Sequence, residues 1–211
     1  MNYTLEKILE VISKKEYPLN SNDDKNYNLN IVGVRANPGE PNKFDDIINV
    51  FWKYQGKWTL RVFPATTDPG KYYLANPMNV EGTSVVKEGY YAKLWQLGLH
   101  QGKYLALRQV NKVKVYRDND LDEMPETQGM KEYEGIFGIN CHRANANGQS
   151  TNIDKWSAGC QVLQNKQINN PDNQMVKVFE FDYFMHLCNL QAEKAQKNYF
   201  DYTLLNQKDF V

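Results

Sequence analysis

The chain runs to 211 residues, the size of one domain or of one domain with a modest extension, and is long enough to bury a substantial core. Basic and acidic residues balance at 25 each, which argues against nucleic acid as the main partner, because that role favours a basic surface. Three cysteines do not make a disulfide framework, and at least one thiol stays free unless it pairs between chains.

In chain order, Met1 to Lys7 holds no basic segment followed by an apolar stretch, and nothing further along is long enough to span a membrane. The expectation is a chain without a signal peptide, made in the cytoplasm. Leu5, Ile8, Leu9 and Ile12 fall at helical spacing, so residues 4–16 read as an amphipathic helix with Thr4 as cap and Pro18 past its end. Ser21 to Asn28 reads as a polar loop, Leu29 to Val34 as a strand, and Ala36 to Asn42, with Pro38, Gly39 and Pro41, as a turn cluster. From 46 to 116 the pattern is mostly strand. Ile47–Tyr54 and Trp58–Phe63 flank Gln55-Gly56-Lys57 as a hairpin. Tyr104–Val110 and Val113–Tyr116 are two more strands, and Ile136–Cys141 another that leads into His142. Phe179, Tyr183, Leu187 and Leu190 share a helical face, which predicts a helix over 179–196 packed on the sheet, and Tyr199–Leu205 returns as a strand. The fold class is α+β and β-rich. Its 14 Tyr, 9 Phe and 4 Trp suit such strands, while tyrosines in loops also suit a polar polymer such as glycan or peptide.

Two segments carry the chemistry. Phe137-Gly138-Ile139-Asn140-Cys141-His142 places a histidine at the end of an apolar run, and Trp156-Ser157-Ala158-Gly159-Cys160-Gln161-Val162 places a cysteine in a small-residue turn. A cysteine acts as a nucleophile when a base or positive neighbour holds it as thiolate, so Cys160 with His142 is the candidate pair. His100, between Gly98 and Gly102, reads equally as a cleft residue or a surface loop, and His186 as a structural residue of the C-terminal helix. Cys141 should face away from His142 into the core, and Cys188 reads as packing. Asp118 to Glu123 starts like a calcium loop but lacks Gly at the sixth place and Glu at the twelfth, so it reads as solvated, and no metal is expected.

These segments resemble the L,D-transpeptidase catalytic domain. That family carries a histidine after a Gly-Ile-type strand and, after a loop, Ser-His-Gly-Cys-x-Arg with the cysteine as nucleophile. Ile139-Asn140-Cys141-His142 is similar to the first element and Ser157-Ala158-Gly159-Cys160 to the second. Phe63 to Tyr73 is similar to the family's polar turn and Thr-Pro-x-Gly-type segment, so the resemblance covers roughly residues 58–165. It implies a mixed β-sandwich or barrel with an N-terminal and a C-terminal helix. On it, residues 1–211 form one catalytic domain, with an extension at 1–45, the catalytic core at 46–165 and a C-terminal helix and strand at 166–211. Two positions depart from the family: Ala158 replaces its histidine and Val162 its arginine. Arg143 or Arg108 could supply the missing charge.

The implied chemistry is acyl transfer on a peptidoglycan stem peptide, without a cofactor. Cys160 attacks a carbonyl while His142 takes the thiol proton and hands it to the leaving amine. The N–H groups of Gly159 and Cys160 serve the oxyanion, with Ala158-Gly159 letting the backbone approach the substrate and His100 and Arg108 as candidates to line the cleft. In the family a backbone carbonyl holds the imidazole, and Ser157 could be that carbonyl or a local turn bond. Cleavage, as an L,D-carboxypeptidase or endopeptidase, is expected over cross-linking. It fits a phage lytic factor or exported effector that reaches the wall or periplasm after lysis or export. Two alternatives stay open: a non-catalytic wall-binding or structural module that keeps the fold, and a metal hydrolase on His100, His142 and Cys160, whose spacing matches no zinc motif. A catalytic Cys160 should alkylate faster than Cys141 or Cys188, with a pH profile below that of a free thiol.

Overall fold

The computed structural model describes residues 2–21, 27–37 and 39–211. Most of the loop expected at Ser21–Asn28, and Pro38 of the turn cluster, lie outside them. Helix α1 (Leu5–Lys14) forms where its spacing predicts. Thr4 Oγ1 accepts the Lys7 N–H at 3.3 Å, while Glu6 and Lys14 suit the two ends of the helix dipole. Its buried face of Ile8, Val11 and Ile12 contributes roughly 2 kcal/mol per side chain by leaving water. The helix stops at Lys15, before Pro18, because Glu16 turns into the left-handed region at φ +55°.

The strands are β1 (Asn30–Arg35), β2 (Asp46–Tyr54), β3 (Lys57–Thr66), β4 (Thr83–Val86), β5 (Gly89–His100), β6 (Tyr104–Gln109) and β7 (Val113–Asp118), with a short α2 (Lys71–Ala75) after β3. Then come β8 (Glu132–Gly135), β9 (Cys141–Arg143), β10 (Gln161–Leu163), β11 (Gln167–Asn170), β12 (Asn173–Phe179), α3 (Glu180–Lys194) and β13 (Phe200–Asn206). Eight strands close a barrel in the order β1-β13-β5-β6-β9-β10-β3-β2. Only β1/β13 and β9/β10 are parallel neighbours in it. Strands β4, β7 and β8 form a separate sheet, and β11 with β12 a hairpin. The protein is thus β-rich α+β.

Period-two alternation assigns the barrel's faces. In β2, Ile48, Val50 and Trp52 point to the core shared with Phe63, Trp95 and Tyr202, while Ile47 and Phe51 point out against α1. The β2–β3 turn uses Gln55 and Gly56, both at positive φ (+48° and +78°), the geometry that matches the twist of a hairpin. Helix α3 joins the inner core through Phe181, Phe184, Leu187 and Cys188, and the Phe184 ring meets Phe63 edge-on at 5.6 Å.

The sequence division at 46–165 does not isolate the barrel: β1, from the segment read as an extension, and β13 are both staves of it. The strand expected at Ile136–Cys141 is also corrected. Residues 136–140 are irregular, with Gly138 at φ +78°. There the N–H groups of Phe137 and Ile139 both donate to Gln109 Oε1 (3.0 and 2.7 Å) instead of to a ladder, and the Ile139 carbonyl accepts Trp95 Nε1 at 2.8 Å. Among the described residues no helix is long and apolar enough to cross a membrane.

Candidate active site

Strands β9 and β10 run side by side in parallel, with Gln161 opposite Cys141 and Val162 opposite His142. Partnered residues share a face, so His142 and Val162 stand on one side of the seam, and Cys160 directly precedes β10, next to Gln161. Cys141 and Gln161 take the other side, into the barrel. Cys141 is fully buried as expected, and Tyr202 Oη donates to Gln161 Oε1 at 2.5 Å. Gln161 Nε2 then reaches the Gly159 carbonyl at 3.3 Å, which anchors the cysteine turn to the barrel interior.

His142 Nδ1 lies 2.8 Å from the Arg143 carbonyl. A carbonyl oxygen only accepts, so the proton sits on Nδ1 and Nε2 carries the lone pair. The carbonyl that holds the imidazole is therefore that of Arg143. Ser157 instead builds the turn: its carbonyl accepts Gly70 N–H at 2.8 Å, and its Oγ accepts Gly159 N–H (3.1 Å) and donates to the Cys160 carbonyl (2.8 Å). His100 closes β5 as a buried residue, not a surface one, and its ring stacks on His142 at 4.1 Å. Asn140 fixes His100. Its Oδ1 accepts Gln109 N–H at 2.8 Å, which leaves Nδ2 to donate to His100 Nδ1 at 3.2 Å. His142 is 4 % exposed, and burial, then the His100 and Arg143 charges, push its pKa down to about 3. Burial and the charges of Lys103, Arg108 and Arg143 lower His100 as well.

Cys160 is the one cysteine of the three with surface open to solvent. Its Sγ donates to the Gly138 carbonyl at 3.4 Å. Burial pushes the thiol up to about 11, against the opposing effect of the Asn140 backbone N–H. The resting pair is thus neutral thiol and neutral imidazole. This reverses the expected direction of the pH profile: thiolate forms above the free-thiol range. Burial also raises Cys141 and Cys188, which are fully enclosed. Gly159 sits at φ +116°, and a Cβ there would stand 2.5 Å from the Ser84 carbonyl, so only glycine seats the turn against β4. Its N–H is already bonded to Ser157 and is not free for an oxyanion; the Cys160 N–H takes no part in these bonds.

Beside this turn opens a cleft of about 350 Å³, walled by Ser84, Arg117, Ile136, Phe137 and Ala158 among others. Arg117 Nη1 donates to the Gly82 carbonyl at 3.0 Å, and its guanidinium lies 4.9 Å over the Phe137 ring. Among the described residues it has no ion-pair partner. Val162 is fully buried in the barrel wall. Arg143 lies 3.8 Å over the Tyr104 ring and Arg108 packs its stem by Gly98, so neither of the two expected replacements lines the cleft. A second groove of about 570 Å³ holds exposed Tyr72 and Trp156, with Lys155 Nζ 4.0 Å over the Tyr72 ring.

The metal-hydrolase arrangement does not form: among the described residues, His100, His142 and Cys160 bring no three ligand atoms together. His186 lies on the outside of α3, 3.8 Å from Asp172, not in its packed face. Sequence reasoning missed Asn140, the Arg143 carbonyl and Arg117. The first two were within reach, since both flank the motif and a histidine needs a partner for its second nitrogen. Arg117 gave no signal, because only the tertiary fold carries β7 to the cysteine turn. No family model, curated protein or solved structure matches this chain.

Proposed function

We propose that this chain is a cysteine acyl-transfer enzyme of the L,D-transpeptidase type that cleaves peptidoglycan stem peptides. The observation that carries the reading is the orientation of His142. Its Nδ1–H is held by the Arg143 carbonyl, and Nε2 is left as acceptor on the strand that pairs with β10 immediately after Cys160. The resemblance at His142, Ser157, Gly159 and Cys160 supplies the substrate class.

In this mechanism proton transfer accompanies attack, because the resting thiol and imidazole are both neutral. Sγ leaves the Gly138 carbonyl, its proton passes to His142 Nε2, and the sulfur bonds to the peptide carbonyl carbon. The Cys160 N–H faces the developing oxyanion. The imidazolium then protonates the leaving amine as the C–N bond breaks. Water, deprotonated by the same nitrogen, releases the acid and restores the thiol. Arg117 on the cleft wall docks a stem-peptide carboxylate, in place of the arginine that the family carries at the position of Val162. The enzyme acts at the wall or periplasm after lysis or export.

The raised thiol and Val162 favour a second reading, a non-catalytic wall-binding module with the same fold. Digestion of peptidoglycan and soluble muropeptides by wild type and Cys160→Ala, read by mass spectrometry, separates the two. Loss of a terminal D-residue or cleavage of a cross-link by wild type alone supports the enzyme. Unchanged muropeptides from several wall types, with both proteins sedimenting with the wall, support the module.

A further inference from the structure

We propose that the loop between β7 and β8 binds a divalent cation of the calcium class, with Asp118, Asp120, Asp122 and Glu126 as carboxylate ligands. Asp120, Asp122 and Glu126 bring one carboxylate oxygen each within 4.8 Å of one another. Oxygens on opposite sides of a calcium ion stand about 5 Å apart, so one ion can touch all three. The backbone turns into the left-handed region at Leu121 (φ +67°) and Glu123 (φ +70°), both between these residues.

Asp118 is the independent observation. It is 1 % exposed, and among the described residues its Oδ1 is buried without a hydrogen-bond partner. Its Oδ2 accepts the N–H of Glu126 at 2.8 Å, so the carboxylate is pinned to the backbone of a cluster member. A buried carboxylate oxygen without a donor is costly, and a cation is the partner that would relieve it. No lysine or arginine among the described residues pairs with any of the four acids; Lys71 is spent on Glu123, at 2.5 Å. The ligand atoms are all carboxylate oxygens, a set that suits a hard cation and not zinc. An exposed loop, with water free to fill the remaining positions, suits calcium better than the strict octahedron of magnesium.

The test is calorimetric titration of the chelator-stripped full chain with calcium, and separately with magnesium, at fixed ionic strength. Wild type is compared with Asp120→Asn/Asp122→Asn and with Glu126→Gln, changes confined to exposed side chains. Wild type should take up one saturable equivalent of calcium with a dissociation constant below about 1 mM. At least one folded variant should bind about tenfold more weakly, and calcium should raise the melting temperature of wild type more than that of the variant. Calcium uptake that never saturates, equal affinity in both folded variants, or tighter binding of magnesium would each overturn the proposal.

Discussion

The seam of β9 and β10 and the cluster around Arg35 both bury titratable groups, and they treat them in opposite ways. Arg35 is 6 % exposed. Its Nε–H is directed to Thr67 Oγ1 (3.1 Å), Nη1 to the Val86 carbonyl (2.9 Å) and Nη2 to the Thr67 carbonyl (3.0 Å). Asp68 Oδ1 stands 2.8 Å from Nε as a charge contact. Asp46 accepts from Ala36 N–H, Thr67 N–H and Thr67 Oγ1 at 2.7, 2.6 and 2.8 Å. Its bonding atoms are turned inward, tying β1 and β2 to the end of β3. At the seam the bonding atoms are not used up: thiol and imidazole stay neutral, and one acceptor nitrogen and one sulfur remain for something outside the fold. Burial of ionisable groups therefore does not mark a site. Bonding capacity left over beside a cleft does.

The sharpest test of that contrast is Arg35→Ala, which strands Asp68 in the interior without its guanidinium partner. Urea denaturation should show a loss of about 3–5 kcal/mol, and a loss below about 1 kcal/mol would mean that the cluster is not the structural half of the pair. Next is the acid limb of stability at the seam. His142 has a folded pKa of about 3, depressed below the ordinary histidine value of 6.5. Its contribution is thus present above about pH 6.5 and lost as pH falls toward about 3, because the unfolded chain takes up the proton first. By pH 5 the loss is about 2 kcal/mol. His142→Asn removes that slope, so the wild-type and variant stability curves should converge as the pH is lowered. Parallel curves would refute neutral burial. The smallest effect is expected from Arg117→Gln. On a muropeptide substrate kcat/KM should fall about tenfold, mostly through KM, with an unchanged melting temperature. An unaltered KM would detach the cleft from carboxylate recognition.

Much of the fold was legible where one periodicity runs unbroken. Residues 4–16 and 179–196 gave α1 and α3, and the Gly56 turn gave the β2–β3 hairpin. Strand β5 was missed although it is the longest, because Lys93 at φ +49° and a register shift against β13 break its alternation. At Ile136–Cys141 the apolar run is genuine, but a distant glutamine side chain takes its backbone donors, which local pattern cannot foresee. At the site, His142 and Cys160 were legible as residue types set on a strand and in a turn. Their protonation was not. It depends on the stacking of His100 and on burial beneath neighbours remote in sequence.

The parallel pairing of β1 with β13 also sets the order of assembly. Ile31 finds its partner in Tyr202, and Arg35 in Asn206, across almost the whole chain. Such contacts form only after a large loop has been closed, so barrel closure should be the slow step of folding. Until β13 docks, β1 and β5 each present an open strand edge, the feature through which partly made chains stick to one another. During synthesis the helix at the front of the chain can cover its side of β2 early, but the ring itself waits for residues 200–206.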